Sequence, residues 1–315
     1  MKLTKIDFNS INSLKEYLSN CSIRDCAFCL GNIILWSEFY KTEFSIIEDM
    51  LVFFTKEEGL PSSFTFPIGK KWDFEKDLEN PAYQQAARKA FDTICDYFNQ
   101  QNIPIRLHSV TPAIYDLICT WYPEQYTYTP DRASYDYIYT AEKLSGLSGS
   151  KLHGKRNHIN SFIKKYPDYV YENINPSNIN DCLEILKLWM YKHYDADKDM
   201  IREYKYEYNS IESALKNMEK LNMKGGIIKL EGRPIAFTIG EPICHDTYDI
   251  HFEKADDSIQ GAYQMINREF VSRNLMEYTY VNREEDLGID GLRKSKLSYY
   301  PDILYEKGII QQENK

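Results

Sequence analysis

The sequence predicts an α+β protein built from two halves with a similar order of elements. Its 315 residues suit one large domain or two of ordinary size, and a hydrophobic fraction of 43% is enough to form a core. In the second half, hydrophobic periodicity indicates the order β-α-α-β-β-β-α-β-α-β, and the first half follows this theme more loosely. We therefore predict one domain at residues 1–140 and another at residues 141–315.

Each element of the second half has its own local signal. "DYVYENI" alternates like a strand, and apolar residues then recur at helical spacing near 179–189 and 211–221. "GGIIKL" and "PIAFTIGEP" flank the turn "EGR", and "DTYDIHFEKA" completes a three-stranded meander. A helix starts near Gln260, "EYTYVN" is typical of a strand, the next stretch is partly helical, and "DILYEKGII" closes the half as a strand.

The first half opens with two predicted helices, at 12–18 and 26–39, and a hairpin-like region, "FSIIEDMLVFFTKEEG" followed by "SSFTFPIG". A third helix is predicted at 81–98, where apolar residues form one stripe. "IPIRLHSV" is typical of a strand, and "TPAIYDLICTWY" of a short helix with Pro112 at its start. Strands in "YTYTPDRASYDYIYT" then lead into the second half.

The composition argues against several classes of protein. A net charge of −9 disfavours a protein that coats nucleic acid, and we predict no DNA partner. No apolar segment follows the first residues as it does in a signal peptide. The longest nearly apolar stretch, "AFCLGNIILW", is too short to span a bilayer. We therefore expect a soluble, cytoplasmic protein without a transmembrane segment.

The cysteines allow a metal-based alternative. Cys21, Cys26 and Cys29 have the C-x4-C-x2-C spacing of plant-type iron–sulfur proteins, but no fourth cysteine follows until Cys95. Cys26 and Cys29 also fall on the predicted helix at 26–39. Reduced, buried cysteines are therefore the favoured interpretation, and we predict no metal site.

Residues 143–165, "KLSGLSGSKLHGKRNHINSFIKK", form a basic segment with six Lys or Arg and no Asp or Glu. A glycine–serine loop that leads into a helix presents backbone N–H groups to an anion, and Lys151, Lys155 and Arg156 add charge. The alternative is a flexible linker with an exposed basic helix. The segment lacks the G-x4-G-K-S/T pattern of a P-loop. Its two histidines are five residues apart, which does not suit a zinc site on one helix face.

A second candidate region is the strand "DTYDIHFEKA". Asp249, His251 and Glu253 alternate along it and therefore share one face of the sheet. One of them would accept a proton from an attacking amine. The alternative is a sheet face packed by polar helices.

A third candidate region is "NREEDLGIDGLRKSKLSYYP", residues 282–301. Carboxylates follow a strand directly, and Arg293 and Lys296 are three apart, so that both can lie on one helical face. Such a set binds an amino-acid-like group through paired carboxylates and cations. The alternative is a solvated, salt-bridged helix.

These segments resemble a known family. "KLHGKRNHINSF", "GAYQMINREF" and "NREEDLGIDGLRKSKLSYYP" are similar to motifs of a family related to the C-terminal domain of phosphatidylglycerol lysyltransferase. The element order of the second half resembles the GNAT acyltransferase fold. The resemblance implies two GNAT-like domains, each a mixed, mostly antiparallel sheet flanked by helices. That arrangement is similar to the Fem-type aminoacyltransferases, which use aminoacyl-tRNA.

The sequence departs from these relatives in two respects. No multi-pass membrane region precedes the domain, which puts a lipid acceptor in doubt. The Q/R-x-x-G-x-G/A loop that grips the acyl-CoA pyrophosphate in ordinary GNAT enzymes is absent, and "QGAYQ", with Gly261 and Ala262 opening the helix, stands in its place. Acetyl-CoA is therefore a weaker donor candidate.

We expect an acyl- or aminoacyl-transferase that moves its group from aminoacyl-tRNA or acyl-CoA to an amine or hydroxyl, with no permanently bound cofactor. The alternatives are a non-catalytic module that senses a small anionic or amino-acid-like ligand, and a tRNA-binding protein. The predicted catalytic residues are Asp249, His251, Glu285, Asp286 and Tyr299. The predicted substrate- or donor-binding residues are Lys151, Lys155, Arg156, Asn157, Asn282, Arg283, Arg293 and Lys296.

Overall fold

A computed structural model describes residues 1–56, 59–74, 76–194 and 201–313. The chain divides into two compact units. The first contains residues 1–136, 285–289 and the segment from residue 304 onward, and the second contains residues 137–284 and 290–303. The junction at 136/137 lies near the predicted boundary at 140/141. The two units differ from the predicted halves in that segments 285–289 and 304 onward return to the first unit.

Up to residue 135, the described residues form seven strands and four α-helices, besides three short 3₁₀ helices. The strands are β1 Thr4–Lys5, β2 Glu43–Ile47, β3 Met50–Thr55, β4 Ser63–Phe64, β5 Ile68–Gly69, β6 Arg106–Val110 and β7 Tyr126–Pro130. The helices are α1 Ile11–Leu18, α2 Leu30–Leu35, α3 Pro81–Gln100 and α4 Pro112–Trp121.

The remainder of the described chain contains eight strands and six helices. The strands are β8 Asp136–Thr140, β9 Val170–Asn173, β10 Lys224–Leu230, β11 Arg233–Pro242, β12 Thr247–Ala255, β13 Tyr280–Asn282, β14 Ile303–Tyr305 and β15 Gly308–Gln312. The helices are α5 Ala141–Gly146, α6 His153–Lys165, α7 Ile179–Tyr194, α8 Ile201–Lys216, α9 Ala262–Asn274 and α10 Asp290–Leu297.

The first unit is built on a sheet with the order β1-β2-β3-β4-β6-β15-β7, and β5 also pairs with β3. Neighbouring strands are antiparallel except β4 and β6, which are parallel. Because β15 lies between β6 and β7, the last strand of the chain completes the first sheet. This pairing is the physical reason why residues 308–312 belong to the first unit.

Local sequence signals explain α3. The Asn80 side chain accepts a hydrogen bond from the backbone N–H of Ala82, and Pro81 occupies the first turn, where its missing N–H costs nothing. Ala87, Phe91, Ile94 and other apolar residues of one stripe are buried. The predicted helix at 81–98 is confirmed.

The predicted helix at 26–39 is wrong as one element. Residues Cys26–Phe28 form a short 3₁₀ turn capped by the Asp25 side chain, and α2 spans only Leu30–Leu35. Cys29 between them is extended, with φ −67 and ψ 134, which interrupts helical hydrogen bonding. Both cysteines are nevertheless buried, and all seven cysteines, each of which lies in a described segment, are free thiols.

The second unit is built on a sheet with the order β14-β8-β13-β12-β11-β10-β9. Strands β12 and β13 are parallel, whereas the meander β9-β10-β11-β12 and the pair of β13 with β8 are antiparallel. Helices α5, α6 and α9 pack apolar residues against this sheet to form the core, including Leu144, Phe162 and Phe270. The α+β class, with a mixed, mostly antiparallel sheet flanked by helices in each unit, is confirmed.

The predicted element order of the second half is confirmed as β9-α7-α8-β10-β11-β12-α9-β13-α10-β14. Its last predicted strand, "DILYEKGII", is wrong as one element, because β14 pairs in the second sheet whereas β15 pairs in the first. Among the helices that the structure describes, none combines the length and apolar character needed to cross a bilayer.

Candidate active site

The basic segment 143–165 and the segment 282–301 meet in the second unit. Lys155 lies on α6, and its Nζ is 4.1 Å from the ring centroid of Tyr299, which follows α10. Four residues earlier, the Nζ of Lys151 is 5.3 Å from the ring centroid of Tyr300. The structure therefore brings together predicted site residues that are more than a hundred positions apart along the chain.

Arg283, which directly follows β13, contacts the same tyrosine ring. Its Cζ is 4.9 Å from the Tyr299 ring centroid, and its Nη2 pairs with Oε1 of Glu253 at 3.0 Å. The second carboxylate oxygen of Glu253 accepts a hydrogen bond from Asn267 Nδ2 at 3.0 Å. Within the described residues, the buried Nη1 of Arg283 has no hydrogen-bond partner. We call Lys155, Arg283, Tyr299 and Glu253 the lysine–tyrosine cluster.

Positive charge exceeds negative charge in this cluster, because the cations Lys155 and Arg283 share the one carboxylate of Glu253. Burial, with the charge of Arg283 as the second cause, lowers the pKa of Lys155 to about 8, although Glu253 opposes this shift. Burial raises the pKa of Tyr299 to about 12, against the opposing charge of Arg283. Near pH 8, Lys155 is therefore a mixture of ammonium and neutral amine.

His251, a predicted proton acceptor on β12, is surrounded by three carboxylates. Its Nε2 is 3.0 Å from Glu241 Oε1, and its Nδ1 is 3.1 Å from Asp249 and 2.9 Å from Glu284. Burial would lower the pKa of His251, but the charge of Asp249 and the hydrogen bonds to the carboxylates raise it well above its usual value. The carboxylates therefore favour the protonated form of His251, and its predicted role as a proton acceptor stays a prediction.

Glu285 belongs to the first unit, where it joins a buried ionic cluster around Lys307. The Nζ of Lys307 lies 2.5 Å from Asp25, 3.1 Å from Asp136 and 2.8 Å from Glu285. Burial would lower the pKa of Lys307, but the surrounding carboxylates raise it well above its usual value. Burial raises the pKa of Glu285 to about 7, although Lys307 opposes that shift. The protonation of Glu285 therefore depends on a buried ammonium.

Cys26 completes this cluster, which we call the Lys307 cluster. Its backbone N–H donates to Asp136 at 2.8 Å, and its Sγ lies 3.2 Å from the other oxygen of Asp136. Ligand atoms of Asp25, Cys26, Asp136 and Glu285 lie within 4.8 Å of one another, a spacing that suits a metal ion. The Lys307 ammonium contacts all four and supplies the positive charge there.

Asp286, also in the first unit, stabilises a turn. Its carboxylate is fully buried, pairs with Arg132 Nη1 at 3.0 Å and accepts the backbone N–H of Gly288 at 2.9 Å. These contacts engage both carboxylate oxygens. They give Asp286 a structural function, and its predicted catalytic role stays a prediction.

Two predicted binding residues, Arg156 and Lys296, donate hydrogen bonds to backbone carbonyl oxygens, and their predicted roles in binding stay predictions. Arg156 donates to the carbonyl oxygens of Leu147 and Gly149, which holds the loop before α6. Lys296 is buried and donates to the carbonyl oxygen of Arg283 at 2.5 Å. These two cations stabilise the frame of the site.

The other predicted binding residues lie on the surface or in a turn. Asn157 is exposed and lies 3.3 Å from His153 Nδ1, and Asn282 is buried, where its Oδ1 accepts the backbone N–H of Glu284 at 2.6 Å. Arg293 lines a shallow groove along α10 together with Lys294 and Tyr300. Their predicted roles in binding stay predictions.

Sequence reasoning misses several residues that shape these sites, namely Glu241, Asn267 and Lys307. The strand pattern offers Glu253 as a candidate proton acceptor but does not reveal its pairing with Arg283. The sequence signal for Asn267 is its position in the motif "GAYQMINREF". The signal for Lys307 is that a cation stands directly before the apolar strand "GII". Neither signal reveals a partner, because each contact joins residues far apart along the chain.

A family model described as "Phosphatidylglycerol lysyltransferase, C-terminal" matches residues 21–307. The chain belongs to this family. A solved structure of a conserved protein of unknown function from Bacteroides thetaiotaomicron VPI-5482 is 34% identical, with a TM-score of 0.88, and the match covers 99% of this chain and 100% of that one. The resemblance stated from the sequence is thereby confirmed.

Two further relatives are more distant. L-PGS from Bacillus licheniformis has a TM-score of 0.62 at 12% identity, over 99% of this chain and 94% of that one, which shows the shared fold. An uncharacterized protein of Mycoplasmoides gallisepticum is 25% identical over 185 residues, 57% of this chain and 56% of that protein. The chain therefore matches little more than half the length of that curated relative. The shared fold with L-PGS agrees with the family match.

Gly261 and Ala262, predicted to open a helix, lie at the N-terminal end of α9. In this family member, Gly261 and Ala262 are buried at that end. A Cβ atom at position 261 would lie 2.8 Å from the carbonyl oxygen of His158 and 3.2 Å from Phe162 Cβ, both on α6. The Ala262 N–H donates to the Ile259 carbonyl oxygen at 3.1 Å. Helix α6 therefore packs closely against Gly261 at the N-terminal end of α9.

Replacing Gly261 by Ala should destabilise this family member by about 2 kcal/mol, because Gly261 has a φ of +89 and the new methyl group meets the α6 backbone. Urea denaturation followed by circular dichroism measures the change. Gly154→Ala on α6 is the control, because a methyl group at that position would have no atom within 4 Å and alanine favours helix. Equal stability of the two variants would contradict the close packing of α6 on α9.

Proposed function

We propose that this chain is an aminoacyltransferase that moves an aminoacyl group from aminoacyl-tRNA to an amine or hydroxyl acceptor. The observation that carries the proposal is the family match over residues 21–307, which includes both the basic segment and the segment 282–301. The meeting of Lys155 with Tyr299 and Arg283 supports it, since these residues come from the two segments.

The covered end of α9 favours aminoacyl-tRNA over acyl-CoA as the donor. A helix N-terminus binds a pyrophosphate through exposed backbone N–H groups. At α9, the Ala262 N–H is bonded to Ile259, and the adjoining Gly261 is packed against His158 of α6. An acyl-CoA held in the manner of ordinary GNAT enzymes would require α6 to move away.

In the proposed reaction, the acceptor attacks the ester carbonyl of the aminoacyl group, and the ester bond to the tRNA ribose breaks. Lys151 is exposed beside Tyr300, four residues before Lys155 of the lysine–tyrosine cluster. Its ammonium therefore offers a contact for a tRNA phosphate. Arg156 is engaged with backbone carbonyl groups, so we assign it to the frame of the site rather than to the donor. Orientation of the two reactants supplies much of the rate acceleration.

The test is consumption of charged tRNA by the purified chain. Lysyl-tRNA and a mixture of other aminoacyl-tRNAs are incubated with glycinamide as an amine acceptor or glycerol as a hydroxyl acceptor, and acetyl-CoA is tested in parallel by thiol release. We expect at least one aminoacyl-tRNA to transfer its group more than about 100-fold faster than in buffer, with no acetyl-CoA turnover.

Two outcomes would contradict the proposal. Turnover of acetyl-CoA without any aminoacyl transfer would assign the chain to the acyl-CoA-dependent enzymes. Thermal stabilisation by charged tRNA or by lysine, without transfer to either acceptor, would favour the non-catalytic binding module.

A further inference from the structure

We propose that Lys155, as a neutral amine, accepts the proton from the acceptor group as that group attacks the aminoacyl ester. This inference rests on the proposed function and names the base for that reaction. It assigns the role to Lys155 instead of His251, whose carboxylate neighbours favour its protonated form.

The position of Lys155 is unusual for a lysine in a folded protein. Its side chain is half-buried, and its Nζ faces the Tyr299 ring at 4.1 Å. Across the described part of the chain, its ammonium makes no ion pair or hydrogen bond. Tyrosine rings attract a cation, but they do not replace a carboxylate as its counter-charge.

The surroundings of Lys155 also explain why no carboxylate neutralises it. Glu253 on β12 is the acidic group whose charge reaches Lys155. Both of its oxygens are engaged, one with Arg283 and the other with Asn267. Arg283 adds a second positive charge beside the same ring. The ammonium of Lys155 is therefore less favoured than that of an exposed lysine.

A pKa of about 8 suits a general base, because a substantial fraction of the amine is neutral near physiological pH. The groups that surround Lys155 lie on three other parts of the second unit: Arg283 after β13, Tyr299 after α10 and Glu253 on β12. Burial and Arg283 lower its pKa, and Glu253 opposes them. A lysine whose function was only to hold an anion would gain nothing from this arrangement.

Lys155 takes up one proton during the reaction and returns it before the end. The acceptor oxygen or nitrogen forms a bond to the ester carbonyl carbon while its proton passes to the lone pair on Lys155 Nζ. The tetrahedral intermediate then expels the ribose oxygen, which takes the proton from the Lys155 ammonium. The amine is neutral again, and no oxidant, reductant or metal enters the step.

The decisive variant is Lys155→Arg, because arginine keeps the positive charge but does not release its proton at these pH values. If Lys155 is the base, K155R and Lys155→Met should both lose at least about 100-fold in transfer rate. If Lys155 only binds an anionic group by charge, K155R should stay within a few-fold of the unmodified chain. Lys164→Arg, at an exposed position on the same helix, is the matched control and should leave the rate unchanged.

The pH profile gives a second readout. Glycerol is the acceptor, because its hydroxyl groups do not titrate between pH 6 and pH 10. For a base of pKa about 8, the rate should rise about tenfold between pH 7 and pH 9 and then level off. The K164R profile should coincide with that of the unmodified chain, whereas K155R should lack the inflection.

A third measurement does not depend on activity. Trace labelling of the amines with acetic anhydride across the same pH range, read by mass spectrometry, reports the pKa of Lys155 and of Lys164 in one sample. Half-maximal labelling of Lys155 near pH 8 supports the inference, and a value of 10 or above overturns it. Retained transfer by K155R overturns the inference but leaves the proposed function intact. Failure of the unmodified chain to transfer any aminoacyl group overturns both.

Discussion

Replacing Lys307 by Met should lower the free energy of unfolding by about 3–5 kcal/mol, the usual cost of removing one partner from a buried ionic group. Lys307 is 1% exposed and contacts carboxylates of Asp25, Asp136 and Glu285 at 2.5–3.1 Å. Methionine fills a similar volume, so the main effect is electrostatic. Without the ammonium, the carboxylates lose their positive neighbour in a site that excludes water.

The loss of unfolding free energy in K307M should depend on pH, because it depends on the charge of Glu285. Without Lys307, which lowers the pKa of Glu285, that pKa should rise further above its present value of about 7. A carboxyl group whose folded pKa is raised contributes stability that is fully present below its unfolded pKa and is lost as the pH rises through the folded value. The deficit of K307M should therefore be smaller at pH 5 than at pH 8.

Urea titrations at both pH values measure the effect. Lys70→Met is the matched control, because Lys70 also pairs with a carboxylate, Glu16 at 2.6 Å, but both side chains are more than half exposed. Water screens an exposed pair strongly, so K70M should change the free energy of unfolding little. If K307M is as stable as K70M at pH 8, the Lys307 cluster does not have the electrostatic role assigned to it.

Hydrophobic periodicity predicts the second-half order and α3 well, because those patterns are local. The stripe of Ala87, Phe91 and Ile94 is visible within one helix length. The sequence does not show that β15 lies between β6 and β7. Residues 308–312 pair with strands near residues 106 and 126, and such distant pairing leaves no periodic pattern in the sequence. The same reason explains why "DILYEKGII" is predicted as one strand.

The site is predicted in part. Charge composition and the family resemblance identify Lys155, Arg283 and Tyr299, which the structure brings together. Sequence alone does not reveal that Arg156 and Lys296 donate to backbone carbonyl oxygens, because those contacts are set by tertiary packing. Residue type shows which groups can bind an anion, but the partners decide which of them remain free to do so.

The density of charge in "NREED" has a structural explanation that differs from both interpretations based on sequence. Four consecutive charged residues each have a partner within their own unit. The pairs are Arg283 with Glu253 and Glu284 with His251 in the second unit, and Glu285 with Lys307 and Asp286 with Arg132 in the first. This segment is therefore neither a solvated helix nor wholly the wall of an active site.

Replacing His251 by Gln should lower the free energy of unfolding by about 3–5 kcal/mol near neutral pH. The imidazolium lies within 3.1 Å of Glu241, Asp249 and Glu284, and its side chain is fully buried. Glutamine keeps a hydrogen-bond donor of similar size but carries no charge. The variant therefore leaves a group of buried carboxylates without the cation that holds them together.

The pH dependence distinguishes this charge effect from a packing effect. The pKa of His251 is raised well above its usual value in the folded chain, so the stabilisation is fully present below about pH 6.5 and falls as the pH rises towards the folded value. In that range the fall approaches about 1.4 kcal/mol per pH unit. Comparison with H251Q isolates this contribution, since the variant cannot take up the same proton.

Urea denaturation between pH 6 and pH 9 measures both slopes, and NMR of the imidazole ring reports its protonation in the folded chain. His245→Gln, at an exposed position in the same unit, is the control and should change stability by less than about 0.5 kcal/mol. A neutral His251 ring at pH 7, or an H251Q variant as stable as H245Q, would contradict the assignment. In that case His251 would again be able to accept a proton, and Lys155 would have a competitor for the role of base.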